Sequence, residues 1–179
     1  GCDTIDVACA RSQNITVAIA SDANAQSVVE HTFMFMLNMA KSSVLMDKVV
    51  RSDYSKRINI EAFDLGARTL LVLGYGRIGT RVARLASAFG MTVLVCDEKF
   101  DLGVSEVDGF EIIHDLDEGL ARTTFLTVHI PLTDKSANLI DKDRLLKMPK
   151  GSYLVNCARG GIVDEQALKE LTHSGHIAA

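Results

Sequence analysis

The strongest constraint on the fold is a run of glycines set between two short apolar stretches. Thr69-Leu-Leu-Val-Leu73 leads into Gly74-Tyr75-Gly76-Arg77-Ile78-Gly79. Ile78 to Phe89 then has helical spacing, and Thr92-Val-Leu-Val-Cys96 follows and ends at Asp97. A G-x-G-x-x-G alone occurs in many turns. Between a strand and a helix it has a mechanism: Gly74 permits the tight turn, Gly76 lets a pyrophosphate approach the backbone, and Gly79 lets the helix pack closely on the strand. The helix N-terminus adds unpaired N–H groups and the positive end of a dipole. Asp97 lies 18 residues beyond Gly79, near the offset at which an acid bonds the ribose hydroxyls of a dinucleotide and repels a 2′-phosphate. These residues predict NAD rather than NADP as cofactor, with Lys99 the one nearby residue that argues the other way.

The alternation continues downstream. Thr124 to Ile130 and Ser152 to Asn156 read as further strands, with helices at about Asp115 to Ala121, Lys142 to Lys147 and Asp164 to Ser174. Apolar strands alternating with helices predict an α/β fold, a doubly wound parallel sheet of the Rossmann dinucleotide-binding type. Pro131 and Pro149 both fall at element ends, where a missing N–H costs least. His176-Ile-Ala-Ala179 reads as the opening of another strand, so the sequence is expected to be part of a longer chain.

Upstream, Ile15-Thr-Val-Ala-Ile19 is β-rich and ends in the turn-like cluster Ala20 to Asn24. Ser27 and Glu30 have capping-box spacing, so a helix is predicted from Asn24 or Ser27 to about Val50. It carries two apolar stripes. Val29, Phe33, Met36, Leu37, Ala40 and Val44 form one, and Val28, Phe35, Met39 and Met46 the other. Helices apolar on both sides are buried on both sides, which favours a subunit contact over a core that simply surrounds this one. Arg51 to Gly66 reads as loop or short helical pieces.

Composition closes off other classes. The 179 residues suit one domain, and 47% hydrophobic against 23% charged residues predicts a packed core. A net charge of −4 lacks the basic excess of a nucleic-acid binder. The longest nearly apolar stretch, Thr32 to Ala40, is about half of the ~20 residues that span a bilayer. No membrane association is expected. The N-terminus shows no secretory pattern, and Cys2, Cys9, Cys96 and Cys157 form no CxxC pair, so a cytoplasmic chain with reduced thiols is expected. His173 and His176 lack a second ligand pair, so no metal is expected there.

Two more segments fall at strand ends, where open α/β sheets bind ligands. They are His129-Ile-Pro131-Leu-Thr133 and Asn156-Cys157-Ala158-Arg159-Gly160-Gly161. Arg159, flanked by small residues, suits a planar carboxylate gripped through two parallel bonds; alone, it is equally a surface arginine beside a turn. His129 has a pKa suited to proton transfer, but a lone strand-end histidine is more often structural.

Together with Gly1-Cys-Asp-Thr-Ile-Asp6, Asn14-Ile-Thr-Val17, Asn24 through His31, Gly74 through Gly79 and Asn156 through Asp164, these segments resemble the D-isomer-specific 2-hydroxyacid dehydrogenases. That family includes phosphoglycerate dehydrogenase, hydroxypyruvate and glyoxylate reductases and D-lactate dehydrogenase. The resemblance implies a nicotinamide cofactor domain inserted between two parts of a substrate domain. Residues 1–22 would be the end of the substrate lobe and its hinge, and residues 23–179 the NAD-binding domain, incomplete at its C-terminal side. The helix over about 24–50 would help make a homodimer. Arg77 and Ile78 would contact the pyrophosphate and Asp97 the adenosine ribose. His129, Pro131, Cys157, Ala158 and Arg159 would line the cofactor pocket.

Arg159 matches the family's catalytic arginine, which grips the substrate carboxylate and polarises the 2-oxo group. The reaction implied is hydride transfer between the nicotinamide and a small 2-hydroxy or 2-oxo acid, with glyoxylate, hydroxypyruvate, phosphohydroxypyruvate and pyruvate all open. The family's acid/base histidine and its supporting glutamate fall beyond Asp164 and have no counterpart before Ala179, so the isolated chain is expected to be inactive. The chain departs from many relatives in lacking a proline after Asp97 and a tryptophan between Arg51 and Gly66. The family also resembles corepressors that bind the dinucleotide without turning it over; Arg159 fits either role.

Overall fold

Short apolar runs, cut by glycine or by capping acids, set the elements of this chain. A computed structural model describes residues 4–20 and 22–178. Gly1 to Asp3, which carry part of the resemblance, Ser21 of the turn cluster and Ala179 of the expected last strand lie outside the described residues. The N-terminal part holds α1 (Val7–Ser12), α2 (Ala25–Lys41) and α3 (Ser43–Ser52), then two 3₁₀ turns (Tyr54–Asn59 and Leu65–Ala67). There follow β1 (Thr69–Leu73), α4 (Arg77–Ala88), β2 (Thr92–Cys96), β3 (Glu106–Val107), β4 (Phe110–Ile112) and α5 (Leu116–Arg122). β5 (Phe125–Val128), α6 (Lys142–Lys147), β6 (Tyr153–Asn156) and α7 (Glu165–His173) complete the chain. Asp115, Asp141 and Asp164 cap α5, α6 and α7, each accepting a backbone N–H of the first turn.

The six strands form one sheet in the order β3-β4-β2-β1-β5-β6. All neighbours are parallel except β3 and β4. The chain builds outward from β1 on one side, then returns to build outward on the other, which opens a crevice beyond the C-terminal ends of β1 and β5. Register makes that edge level. Leu73 pairs with both Cys96 and Val128, so the residues that follow, Gly74, Asp97 and His129, emerge side by side. Gly74 N–H donates to Cys96 O at 2.8 Å and His129 N–H to Leu73 O at 2.7 Å, extending the ladder by one step.

Side chains of β1 alternate between two buried layers, which is why the strand is apolar throughout. Leu70 and Val72 pack with Val29, Phe33, Met36 and Ala40 of α2 and Val82, Ala83 and Ala86 of α4. Leu71 and Leu73 pack with Leu120, Leu145, Met148 and Leu171 on the other face.

The structure corrects four expectations. Ile15 to Ile19 is not a strand; it pairs with no strand among the described residues, and Ile15 and Ile19 are exposed, because β propensity without a neighbouring edge makes no ladder. The helix starts at Ala25 with Asn24 in the cap position, so Ser27 and Glu30 lie inside it and form no capping box; Glu30 accepts from Gln26 instead, at 3.0 Å. That helix does not reach Val50. It breaks at Ser42, which is left-handed (φ 48°) and donates its hydroxyl to Glu61 O at 2.8 Å, and α3 starts in a new direction. The break turns Val44, expected on the buried stripe, out to solvent.

The sheet, lastly, is not wholly parallel. An antiparallel hairpin edges it, turning at Asp108 and Gly109, both at positive φ. Where the last strand was expected, Ile177 bridges Ser152 in parallel. Among the described residues no helix is long and apolar enough to cross a membrane, and Cys9, Cys96 and Cys157 are free thiols.

Candidate functional site

The three motif glycines are required for different reasons. Gly74 sits at φ 97°, and a Cβ there would lie 2.8 Å from the carbonyl of His129. At Gly79 a Cβ would come within 1.9 Å of Gly74 O, so the helix could not lie against the strand end. Both are explained by the chain's own packing. Gly76 is not: its φ of −87° suits any residue, and a Cβ there would meet nothing within 4 Å. The space before it is open and faces the start of α4, where no side chain among the described residues caps the first N–H groups. Unpaired donors, a helix dipole and free approach to the backbone make an anion cradle, and a glycine with no internal cause fits a group that must come close to it.

Asp97 stands next to the cradle. Its Oδ2 accepts the Tyr75 N–H at 2.6 Å and its Oδ1 the Lys99 N–H at 3.0 Å, so the carboxylate is held against the glycine loop with lone pairs left for hydroxyl donors. Lys99 folds back, its ammonium donating to Tyr75 O and lying 5.1 Å from the centre of the Tyr75 ring and 5.0 Å from that of Phe100. Cys96, one residue earlier, has its thiol pushed up to about 11, chiefly by burial.

Gly74, Gly76, Asp97, His129 and Pro131 line one cleft of about 660 Å³ at the crevice edge. His129 is a half-buried polar wall of this cleft. The ring contacts Thr127 Oγ1 through Nε2 at 2.9 Å, while Nδ1 is buried with no hydrogen-bond partner among the described residues. Burial pushes its pKa down to about 4, so the ring is neutral at neutral pH. A neutral ring with one orphaned nitrogen is a wall of the cleft, not a proton donor poised for use.

The other predicted residues stand around this cleft without lining it. Arg77 is exposed on the first turn of α4, Ile78 packs on the core, and Gly79 is buried behind Gly74. Cys157, Ala158 and Arg159 lie on the loop after β6, one strand further along. Asn156 braces that loop: its Oδ1 accepts the Ala158 N–H at 3.0 Å and its Nδ2 donates to Arg159 O at 2.8 Å. Arg159 is exposed and donates from Nη1 to Ala158 O at 2.8 Å. Sequence reasoning missed Ser136, a buried residue of the cleft whose hydroxyl accepts the Thr133 N–H at 2.7 Å and donates to Pro131 O at 2.7 Å, fixing the turn after β5. Two hydroxyl residues three apart after a proline were the available signal.

The family described as D-isomer specific 2-hydroxyacid dehydrogenase, NAD binding domain, matches residues 33–179. The chain belongs to this family. Its cofactor is NAD, and the cradle at Gly76, the uncapped α4 and the carboxylate of Asp97 fit a dinucleotide. D-3-phosphoglycerate dehydrogenase of Methanocaldococcus jannaschii is 37% identical over 179 residues, covering 100% of this chain and 34% of that protein. The Bacillus subtilis enzyme of the same name is 36% identical, covering 99% and 34%. The chain thus spans about a third of the length of these curated relatives. D-Lactate dehydrogenase from Aquifex aeolicus, solved with NAD and lactic acid, matches with a TM-score of 0.86 at 34% identity, over 99% of this chain and 53% of that one. NAD-dependent formate dehydrogenase from Staphylococcus aureus, solved with NAD, matches at 0.84 and 33%, over 99% and 53%.

Proposed function

We propose that the chain is the NAD(H)-binding part of a dehydrogenase that moves hydride between nicotinamide and a small 2-hydroxy or 2-oxo acid. The observation that carries this reading is Gly76, whose ordinary φ and open surround leave the backbone at the start of α4 free for close approach by a ligand. NAD, when bound, supplies the hydride acceptor at C4 of its ring. The chain's residues do the rest of the work at that edge. N–H groups at the start of α4, from Arg77 and Ile78, hold the pyrophosphate, and Asp97 accepts the ribose hydroxyls. His129, Pro131, Cys157 and Ala158 wall the cofactor. Arg159 grips the substrate carboxylate and draws charge from the 2-oxo group, on a loop that Asn156 keeps rigid.

Residues 1–22 serve as the end of a substrate lobe and its hinge, and 23–179 as the cofactor domain. The homodimer forms through α2 and α3, whose Met34, Phe35, Val44 and Leu45 are exposed apolar side chains on one chain alone. The relatives are dehydrogenases by name, which supports the catalytic reading over a dinucleotide sensor.

The test is a titration of the purified 179-residue chain with NADH and NADPH, followed by nicotinamide fluorescence, then addition of glyoxylate or hydroxypyruvate. NADH should bind, NADPH should bind at least about tenfold more weakly because Asp97 faces its 2′-phosphate, and no NADH should be oxidised. Equal affinities would remove the role given to Asp97. Oxidation would show that the acid/base pair is not needed from elsewhere.

A further inference from the structure

Tyr75, the residue between the first two glycines, is buried and held at every polar atom it has. Its N–H donates to Asp97 at 2.6 Å, its carbonyl accepts from Lys99, and its hydroxyl donates to Asp108 Oδ2 at 2.7 Å. Its ring lies between Phe100 and Phe110, with centroids 5.9 and 6.5 Å away. Asp108 is the tip of the β3–β4 hairpin, and the same Oδ2 accepts from Arg84 Nη2 of α4 at 3.1 Å. One carboxylate therefore ties the glycine loop to the helix whose N-terminus forms the anion cradle.

A phenylalanine would fill the same apolar space without this tie. The hydroxyl adds direction rather than packing, because a hydrogen bond to a charged acceptor is strong and fixes the ring's far end. We propose that Tyr75, tethered by Asp108, is a positioning residue that sets the glycine loop in register for the pyrophosphate. Without the tether the loop keeps the Asp97 bond to the Tyr75 N–H and the Lys99 bond to its carbonyl but loses the link to α4 through Asp108, and donors displaced from the phosphate oxygens lose much of their value. The hairpin thereby gains a role beyond closing the edge of the sheet. This inference rests on the dinucleotide reading above.

The experiment compares Tyr75→Phe, Asp108→Asn and their double variant with the unaltered chain in calorimetric titrations with ADP-ribose and with adenosine, which lacks the pyrophosphate. Tyr75→Phe should bind ADP-ribose about tenfold more weakly, with adenosine unchanged. Asp108→Asn, which keeps a residue tolerant of the left-handed turn, should move the same way by less. The double variant should be no worse than Tyr75→Phe, since both cut one tie. An equal loss for both ligands, or no loss for either, would overturn the positioning role while leaving the dinucleotide reading standing. Failure of the unaltered chain to bind ADP-ribose would overturn both. Should Tyr75→Phe fail to fold, the selectivity of Asp108→Asn decides alone.

Discussion

The β1–α4–β2 unit and the α2–α3 segment are similarly rich in apolar residues, yet they close differently. In the first, Leu70, Leu71, Val72, Val82 and Val95 have no exposed surface at all. In the second, Val29, Phe33, Met36 and Ala40 are buried, while Met34 and Phe35 keep 42% and 41% of their surface and Val44 keeps 74%. The first unit is covered by its neighbours except at Phe89, which keeps 42% of its surface, and it points outward through a side chain that is missing, at Gly76. The second points outward through side chains in surplus. On the function proposed above, a small ligand and a protein partner would leave opposite signs, one as room for close approach and the other as apolar area left uncovered.

The largest break should come from inside the covered unit. Gly79→Ala drives a Cβ to 1.9 Å from Gly74 O, backbone that cannot give way cheaply, and about 3 kcal/mol of stability or more should be lost in urea unfolding. A loss near zero would mean that α4 does not lie against the strand end as described.

His129 should come next, through acid. The unfolded chain takes up the histidine proton near pH 6.5 whereas the buried ring resists until about pH 4, so stability falls as pH drops through that window. The loss should reach about 3 kcal/mol by its lower end, where the paired carboxylates such as Asp108 and Glu111 begin to contribute as well. Comparing His129→Asn with the unaltered chain across that window isolates it; parallel profiles would count against a neutral buried ring.

The α2–α3 segment should respond by assembly rather than by folding. Phe35→Glu should weaken dimerisation by about 2 kcal/mol in sedimentation equilibrium, with the melting temperature of the monomer unchanged. An unaltered chain that is monomeric at every concentration would remove the dimer from the account.

How much of this was legible differs between the same two regions. β1 and β2 fall at the residues read for them because an apolar run cut by a glycine or an acid has only one exit. The turn at Ser42 was not legible, because the apolar stripe continues through it and the break is held by bonds to distant residues, from Ser42 to Glu61, from Phe63 to Ala40 and from Lys41 to Asp64. Ile15 to Ile19 misled because propensity says nothing about whether an edge is available. The β3–β4 hairpin carried a signal in Asp108-Gly109, hidden by strands of two and three residues. In the site, Gly74, Gly76, Gly79 and Asp97 were legible because close approach and acid offset are local in sequence. Arg159 was singled out by the resemblance more than by its own surroundings. The Tyr75 tether joins residues 33 apart and needed the fold.

On the function proposed above, Gly76 is a glycine for the sake of a dinucleotide. The most direct test is NADH titration of Gly76→Val beside the unaltered chain, with thermal unfolding of both. Extended backbone and an empty surround should leave stability within about 1 kcal/mol, while NADH affinity falls at least about tenfold. Unchanged affinity in a folded variant would contradict the claim, since it would mean that nothing needs the space in front of that backbone.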